Sequence, residues 1–333
     1  MTRDRIGVGV VGVGTMGRRH AENAAYSIPG ARLAAVFDAD RALAASVAAG
    51  LDAVGCATLD ELLARQDVRA VVVASPKRFH EEHAISVARA GKDIFLEKPM
   101  ATSLEGADHV IAAARDAGVR LQIGFQRRYD APYADARKLV SSGELGRPLL
   151  YRGTNRDREA PVGPPGSMET NDILTESAIH DLDGARWMMS DEVVGVRASL
   201  ATLGDRATTP APDFAMVELL FAGGALAHVE ALRGARYAYD IRSEVICENG
   251  AVLVGGFAQT MLTVLRGGER REGLYPGFLE RYAEAYAAEL RDFVAGVLDR
   301  RPPAVTGDDG RRALAIALAA EKASAMAQQV TPD

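Results

Sequence analysis

An apolar run of strand length, Ile6–Val11, passes directly into Gly12-Val13-Gly14-Thr15-Met16-Gly17. No other stretch limits what this chain can fold into so narrowly. Gly12 permits a tight turn, Gly14 lets the backbone approach a pyrophosphate, and Gly17 lets a following helix pack on the strand. Thr15 and Met16 lie in the same turn and complete the candidate phosphate cradle, which the helix N-terminus then faces. A merely tight glycine turn would not need a strand before it and a helix after it. An acid, Asp38, ends a second apolar run 21 residues past Gly17. Its carboxylate can accept hydrogen bonds from the adenosine ribose hydroxyls, and it repels a 2′-phosphate. NAD is therefore favoured over NADP, with the neighbouring Arg41 softening the preference.

The same alternation continues to about residue 125. Apolar runs at 32–37, 70–74, 93–96 and 120–123 alternate with helical stretches at 17–25, 41–49, 60–65, 81–90 and 104–117. Continuous β-branched runs between amphipathic helices indicate a parallel sheet covered on both faces, the doubly wound α/β pattern. After Gly124 the pattern changes. A helix at 131–142 precedes strands at 149–155, 193–203, 214–221, 225–233, 240–247, 251–254 and 260–266, with tight turns such as Ala222-Gly223-Gly224-Ala225. A helix at 178–189 lies inside this region, and two more, 278–299 and 308–328, end the chain. The expected organisation is an α/β domain at 1–125 and an α+β domain at 126–333. The Pro/Gly stretch 160–166 reads as a mobile loop, not a linker, because strands lie on both sides.

Composition narrows the function classes. The chain has 333 residues with 48% hydrophobic and 25% charged, a globular balance without wholesale disorder. Lys and Arg total 39 against 45 acids, a net charge of −6, which argues against a nucleic-acid partner. No apolar run reaches the roughly 18 residues of a membrane span. Two distant cysteines, Cys56 and Cys247, make neither a disulfide framework nor a zinc knuckle. The segment before Ile6 lacks a small-residue cleavage site. These features together lead us to expect a cytoplasmic protein.

Two clusters carry chemistry. Ile94-Phe95-Leu96-Glu97-Lys98-Pro99 puts Lys98 at the carboxyl end of a strand, where ligands bind in open α/β sheets, and Pro99 can take a cis bond. Position alone leaves a surface lysine in a turn equally open. In Glu176-Ser177-Ala178-Ile179-His180-Asp181-Leu182-Asp183, Glu176 and His180 are four apart and share a helical face. A carboxylate beside an imidazole is how a general base is oriented; a satisfied surface histidine is the plainer reading. His80-Glu81-Glu82-His83 is one residue short of the zincin spacing, its acids suit a first helical turn, and no metal site is assigned. His20, His109 and His228 read as structural. Arg127 and Arg128 serve equally well as a substrate clamp or as ion-pair partners between domains.

Together these residues resemble the Gfo/Idh/MocA oxidoreductases. The resemblance runs from about residue 5 to Asp308-Asp309-Gly310. It rests on Gly12–Gly17, on Ser75-Pro76 with His80, on Glu97-Lys98-Pro99 and on His180-x-x-Asp183. It implies an N-terminal Rossmann domain and a C-terminal domain built on an open, mostly antiparallel sheet that often mediates homo-oligomers, dimers or tetramers. It implies NAD(P)-dependent oxidation of a sugar or cyclitol hydroxyl. Ser75, Pro76, His80, Glu97 and Lys98 would then join the cofactor contacts. Within the family the chain looks most like inositol 2-dehydrogenases, through residues 124–130, Thr175–His180 and Tyr237–Ile241.

That resemblance assigns Lys98, Glu176 and His180 to catalysis, and Arg127, Asn155, Asp157 and Tyr239 to the substrate. The chain departs from the inositol enzymes in carrying Glu176 where Asp is usual, and Asn155 and Asp157 where His and Asn are usual. An NAD(P)-dependent oxidoreductase of an aldopyranose, amino sugar or anhydrosugar is the alternative. A non-catalytic NAD-binding sensor is a more distant one.

Overall fold

The computed structural model of the chain describes residues 5–158, 173–204, 211–256 and 258–333. Residues 160–166 lie outside them. The backbone divides into two compact units: Met1–Tyr129 with Glu284–Leu314, and Asp130–Ala283 with Ala315–Asp333. The first unit is thus discontinuous. A division at 125/126 places 284–314 in the second domain, whereas these residues group with the first.

The first unit alternates β1 (Ile6–Val11), α1 (Thr15–Glu22), β2 (Ala31–Phe37), α2 (Arg41–Gly50), β3 (Val54–Cys56), α3 (Leu59–Ala64), β4 (Ala70–Val73), α4 (His80–Arg89), β5 (Asp93–Glu97), α5 (Leu104–Ala117) and β6 (Leu121–Gly124). All adjacent strands are parallel, in the order β3-β2-β1-β4-β5-β6. That order reverses direction between β1 and β4, the switch point where such sheets bind ligands. Every residue of β1, β4 and β6 is buried, as expected of strands covered on both faces. Edge strand β3 escapes sequence reading, because three residues with two exposed and a central Gly55 show no periodicity. Helix α5 has both of its end signals: the Ser103 hydroxyl accepts from the Gly106 N–H, and Gly118 closes it at φ +64°.

The second unit holds α6 (Ala131–Ser141), β7 (Pro148–Asp157), α7 (Ile179–Met189), β8 (Val193–Ala201), β9 (Phe214–Phe221), β10 (Leu226–Arg233), β11 (Asp240–Cys247) and β12 (Gly250–Gly255). Six strands form one sheet in the order β12-β11-β7-β10-β9-β8, antiparallel except for the β7/β10 pair. Burial alternates along β9 and β10, so one face is cored and the other open. Tyr133, Tyr151, Leu182, Met188, Val217 and Val229 lie in the cored side. The open face carries Met216, Leu226 and Leu253. Strand β13 (Ala258–Arg266) does not join this sheet; it pairs with β14 (Glu269–Leu274) as a separate hairpin.

The chain ends with α8 (Phe278–Arg281), α9 (Ala283–Asp299) and α10 (Gly307–Met326). Leu290, Phe293, Val294 and Val297 of α9 belong to the same buried cluster as Val8, Val10, Leu33 and Val36. That apolar stripe is why 284–314 groups with the parallel sheet.

Candidate functional site

The glycine turn meets each of its steric demands. Gly12 sits at φ +83°, and a Cβ there would lie 2.6 Å from the Ser75 backbone across the switch point. A Cβ on Gly17 would lie 1.7 Å from the Gly12 carbonyl oxygen. Nothing stands within 4 Å of where a Gly14 Cβ would project, so the backbone is open to approach. Gly14 is the N-cap of α1 and supplies no side chain to its first N–H groups, which Thr15 and Met16 begin. Asp38 follows β2. Its Oδ2 accepts from the Val13 N–H at 2.8 Å and its Oδ1 from the Asp40 N–H at 2.9 Å. Each oxygen keeps a further lone pair for a hydroxyl donor.

Ser75 and Pro76 follow β4, and Lys98 and Pro99 follow β5, both at the carboxyl ends of the strands. The Lys98–Pro99 bond is cis, and Lys98 is half-buried in a turn otherwise buried. His80 and Glu97 turn inward. Both His80 ring nitrogens sit 2.7 Å from backbone carbonyls, Nδ1 from Pro99 and Nε2 from Ser75. The Ser75 hydroxyl meets His83 Nδ1 at 2.9 Å, and burial makes the His83 imidazole harder to protonate. Glu81 pairs with His109. Three residues of the zincin-like run are thus engaged elsewhere: His80 with the Pro99 and Ser75 carbonyls, His83 with the Ser75 hydroxyl and Glu81 with His109.

Glu97 Oε1 lies 2.7 Å from His20 Nε2, and its Oε2 accepts from the Lys98 N–H at 3.2 Å. Glu289 of α9 is fully buried, and one ligand atom each from His20, Glu97 and Glu289 fall within 4.8 Å of one another. An N···O contact of 2.7 Å is a proton bridge; an ion held at about 2.0–2.2 Å from both atoms would push them further apart. Sequence reading missed Glu289, although its position among Ala285, Tyr286, Leu290 and Phe293, all buried on one helix, was a signal. Burial, and then the Glu97 charge, raises its pKa well above the ordinary carboxylate range.

The folded protein therefore keeps the Glu289 proton at a pH where the unfolded chain has released it. The stability this provides is full in acid. It falls by about 1.4 kcal/mol per pH unit above the ordinary carboxylate range, until the folded group ionises too. Glu289→Gln, which is neutral at every pH, should melt progressively higher than the parent as pH rises above about 5. Thermal melts from pH 5 to 9 check this; a constant gap between the two proteins would refute it.

In the second unit the helix carrying Glu176 begins earlier than its sequence suggests, with a π-type turn over Leu174–Ala178 that runs into α7. Such turns recur at functional sites. From Ile173 to Ala185 every residue is buried except Glu176 and His180, which are half-exposed. Over this stretch the helix opens to its surroundings only through an acid and an imidazole. Beneath it, the Asn155 amide donates to the Ser177 carbonyl at 2.8 Å and to Asp181 Oδ2 at 3.0 Å. Asn155 is 4% exposed, so its amide supports the helix instead of projecting freely. Arg233 Nε donates to the Ser177 hydroxyl at 3.0 Å.

Asp157 ends β7 and is half-buried. Tyr239 is buried, edge-on to Tyr282 with ring centres 6.4 Å apart. Arg127 is buried in the first unit, and Arg128 pairs with Asp309 of the same unit at 3.2 Å. The structure brings the glycine turn, Asp38, Ser75 and Lys98 to one edge of the parallel sheet, and Glu176 and His180 to one helix face.

Comparison with known proteins covers nearly the whole chain. A family model described as "Oxidoreductase family, NAD-binding Rossmann fold" matches residues 6–125. A second, described as "GFO/IDH/MocA C-terminal domain", matches residues 133–253. The chain is 36% identical to a myo-inositol 2-dehydrogenase of Thermotoga maritima, over 95% of each protein. It is 35% identical to an inositol 2-dehydrogenase of Streptomyces avermitilis, over 98% of this chain and 94% of that one. Its fold matches the crystal structure of a scyllo-inositol dehydrogenase from Lactobacillus casei with bound NAD(H) and scyllo-inositol, with a TM-score of 0.89. Identity there is 26%, over 98% of this chain and 99% of the other.

Proposed function

Because the chain belongs to the Gfo/Idh/MocA family of oxidoreductases, we propose that it oxidises a secondary hydroxyl of an inositol-type cyclic polyol to the ketone with NAD. The observation that carries the chemistry is the Glu176/His180 pair, alone half-exposed on an otherwise buried stretch of helix. The dinucleotide fits the first unit. Gly14 leaves the backbone clear, the α1 N-terminus offers N–H groups to phosphates, and Asp38 retains acceptor capacity for ribose hydroxyls. Bound NAD supplies the hydride acceptor.

The protein's own groups manage the proton and the charge. His180 accepts the hydroxyl proton as general base. Glu176 orients the imidazole and stabilises its charged form. Lys98 donates a hydrogen bond to the reacting oxygen and stabilises the negative charge that develops there. Arg127, Asn155, Asp157 and Tyr239 belong to the substrate side of this reading, with Asn155 acting through the helix it supports. A panel of inositols, aldopyranoses and amino sugars offered with NAD, followed by NADH absorbance, tests it. Reduction of NAD by inositols is expected, and turnover confined to aldoses would overturn the polyol assignment.

Asp38 should make NAD the preferred cofactor. Asp38→Ala should weaken NAD and improve NADP, shifting the preference by about 1–3 kcal/mol. The ratio of kcat/KM for the two cofactors measures it, and equal use of both by the parent enzyme would refute it.

The same reading includes a homo-oligomer, a dimer or tetramer, supported by the exposed Met216, Leu226 and Leu253 on the open face of the second sheet. Light scattering on the purified protein tests that. It also includes a cytoplasmic, reducing setting, which suits the free, buried Cys56 and Cys247. Among the described residues, no helix is long and apolar enough to cross a membrane.

A further inference from the structure

His80 is 2% exposed, and each of its ring nitrogens lies 2.7 Å from a backbone carbonyl oxygen. A carbonyl oxygen can only accept. A neutral imidazole has one N–H, so its second nitrogen would set a lone pair against carbonyl lone pairs at hydrogen-bond distance. Exchanging ring carbons for nitrogens offers no escape, since a carbon at 2.7 Å from oxygen would be closer than the roughly 3.3 Å of even a weak C–H contact. Both contacts are satisfied only by the doubly protonated ring.

The two carbonyls belong to different segments. Ser75 follows β4, at the switch point beside Gly12. Pro99 follows Lys98 in the turn after β5. We propose that His80 is a positioning residue, a buried imidazolium that joins the Ser75 segment to the Lys98–Pro99 turn and so holds Lys98 in place for the reaction. This rests on the catalytic role given to Lys98 above.

The charged surroundings of His80 are mixed. It is the first residue of α4, where helix N–H groups disfavour a cation, and His83 lies one turn on. Glu81 and Glu82 in the same first turn oppose that. On α5, His109 and Glu105 lie beside Glu81. On the β5 turn stand Lys98 and Glu97, the latter paired with His20. The two carbonyl dipoles aimed at the ring favour its charged form. When the second ring proton leaves at alkaline pH, one link turns repulsive and the Lys98 turn is released.

Neutron diffraction from the NAD-bound enzyme at neutral pH reads the ring directly. Deuterium on both Nδ1 and Nε2 is expected, and a bare nitrogen would overturn the proposal. Kinetics read the consequence. The parent should show a fall in kcat at alkaline pH. His80→Gln, which cannot span both carbonyls as a cation, should lower kcat by about 10- to 100-fold, as for a misplaced catalytic group, and should lack that fall. An identical alkaline fall in His80→Gln would assign it to another group and overturn the staple. If the parent turns over no polyol at all, the catalytic reading fails, while the neutron result still decides the protonation of His80.

Discussion

Replacing His180 with alanine is expected to slow polyol oxidation by roughly 10²–10⁴-fold and to remove most of the rise in rate with pH, as for loss of a general base. The parent rate should climb as the imidazole loses its proton. Glu176 favours the charged ring, so Glu176→Gln should move that climb to lower pH while also lowering the rate. The two losses should not add, because one group acts through the other. Full pH profiles of the two single variants and the double variant give the answer. A strictly additive double variant, or a profile untouched by Glu176→Gln, would leave Lys98 as the proton acceptor.

Lys98→Met should cut turnover by roughly 10²–10³-fold, the cost of one oriented donor at a developing oxyanion. Methionine keeps much of the stem, so NAD binding, followed by fluorescence quenching, should survive. Near-normal turnover would return Lys98 to being a half-exposed turn residue. The two experiments separate the roles, since loss of His180 should change the shape of the pH profile and loss of Lys98 chiefly its height.

The nucleotide-binding half was largely legible because its rules are local. Gly12, Gly14 and Gly17 each answer to backbone sterics within a few residues, and β1, β4 and β5 read as buried runs. What could not be read lies in contacts across long separations. Nothing near Asn155 announces that its amide is bound by Ser177 and Asp181. The apolar stripe of α9 shows that it packs, but not that it packs with β1 and β2. Glu176 lies before the helix that the sequence suggests at 178–189, in a π-type turn over Leu174–Ala178, because π-type hydrogen bonding leaves no mark in residue periodicity. His80 was assigned to the cofactor on resemblance; in the structure its ring nitrogens meet the Pro99 and Ser75 carbonyls.

The return of α9 to the parallel sheet also limits how this molecule can be cut or recombined. A fragment ending at residue 125 would lack Leu290, Phe293, Val294 and Val297, each representing about 1.5–3 kcal/mol of burial. It would lack Glu289 as well, leaving a hole beside His20 and Glu97. Both units are discontinuous in sequence, the second resuming at Ala315–Asp333, so neither simply follows the other along the chain. Gene fusion or domain exchange at the apparent boundary would yield an incomplete nucleotide-binding half. A viable exchange must carry both flanks together, which ties the inheritance of the two halves to one another.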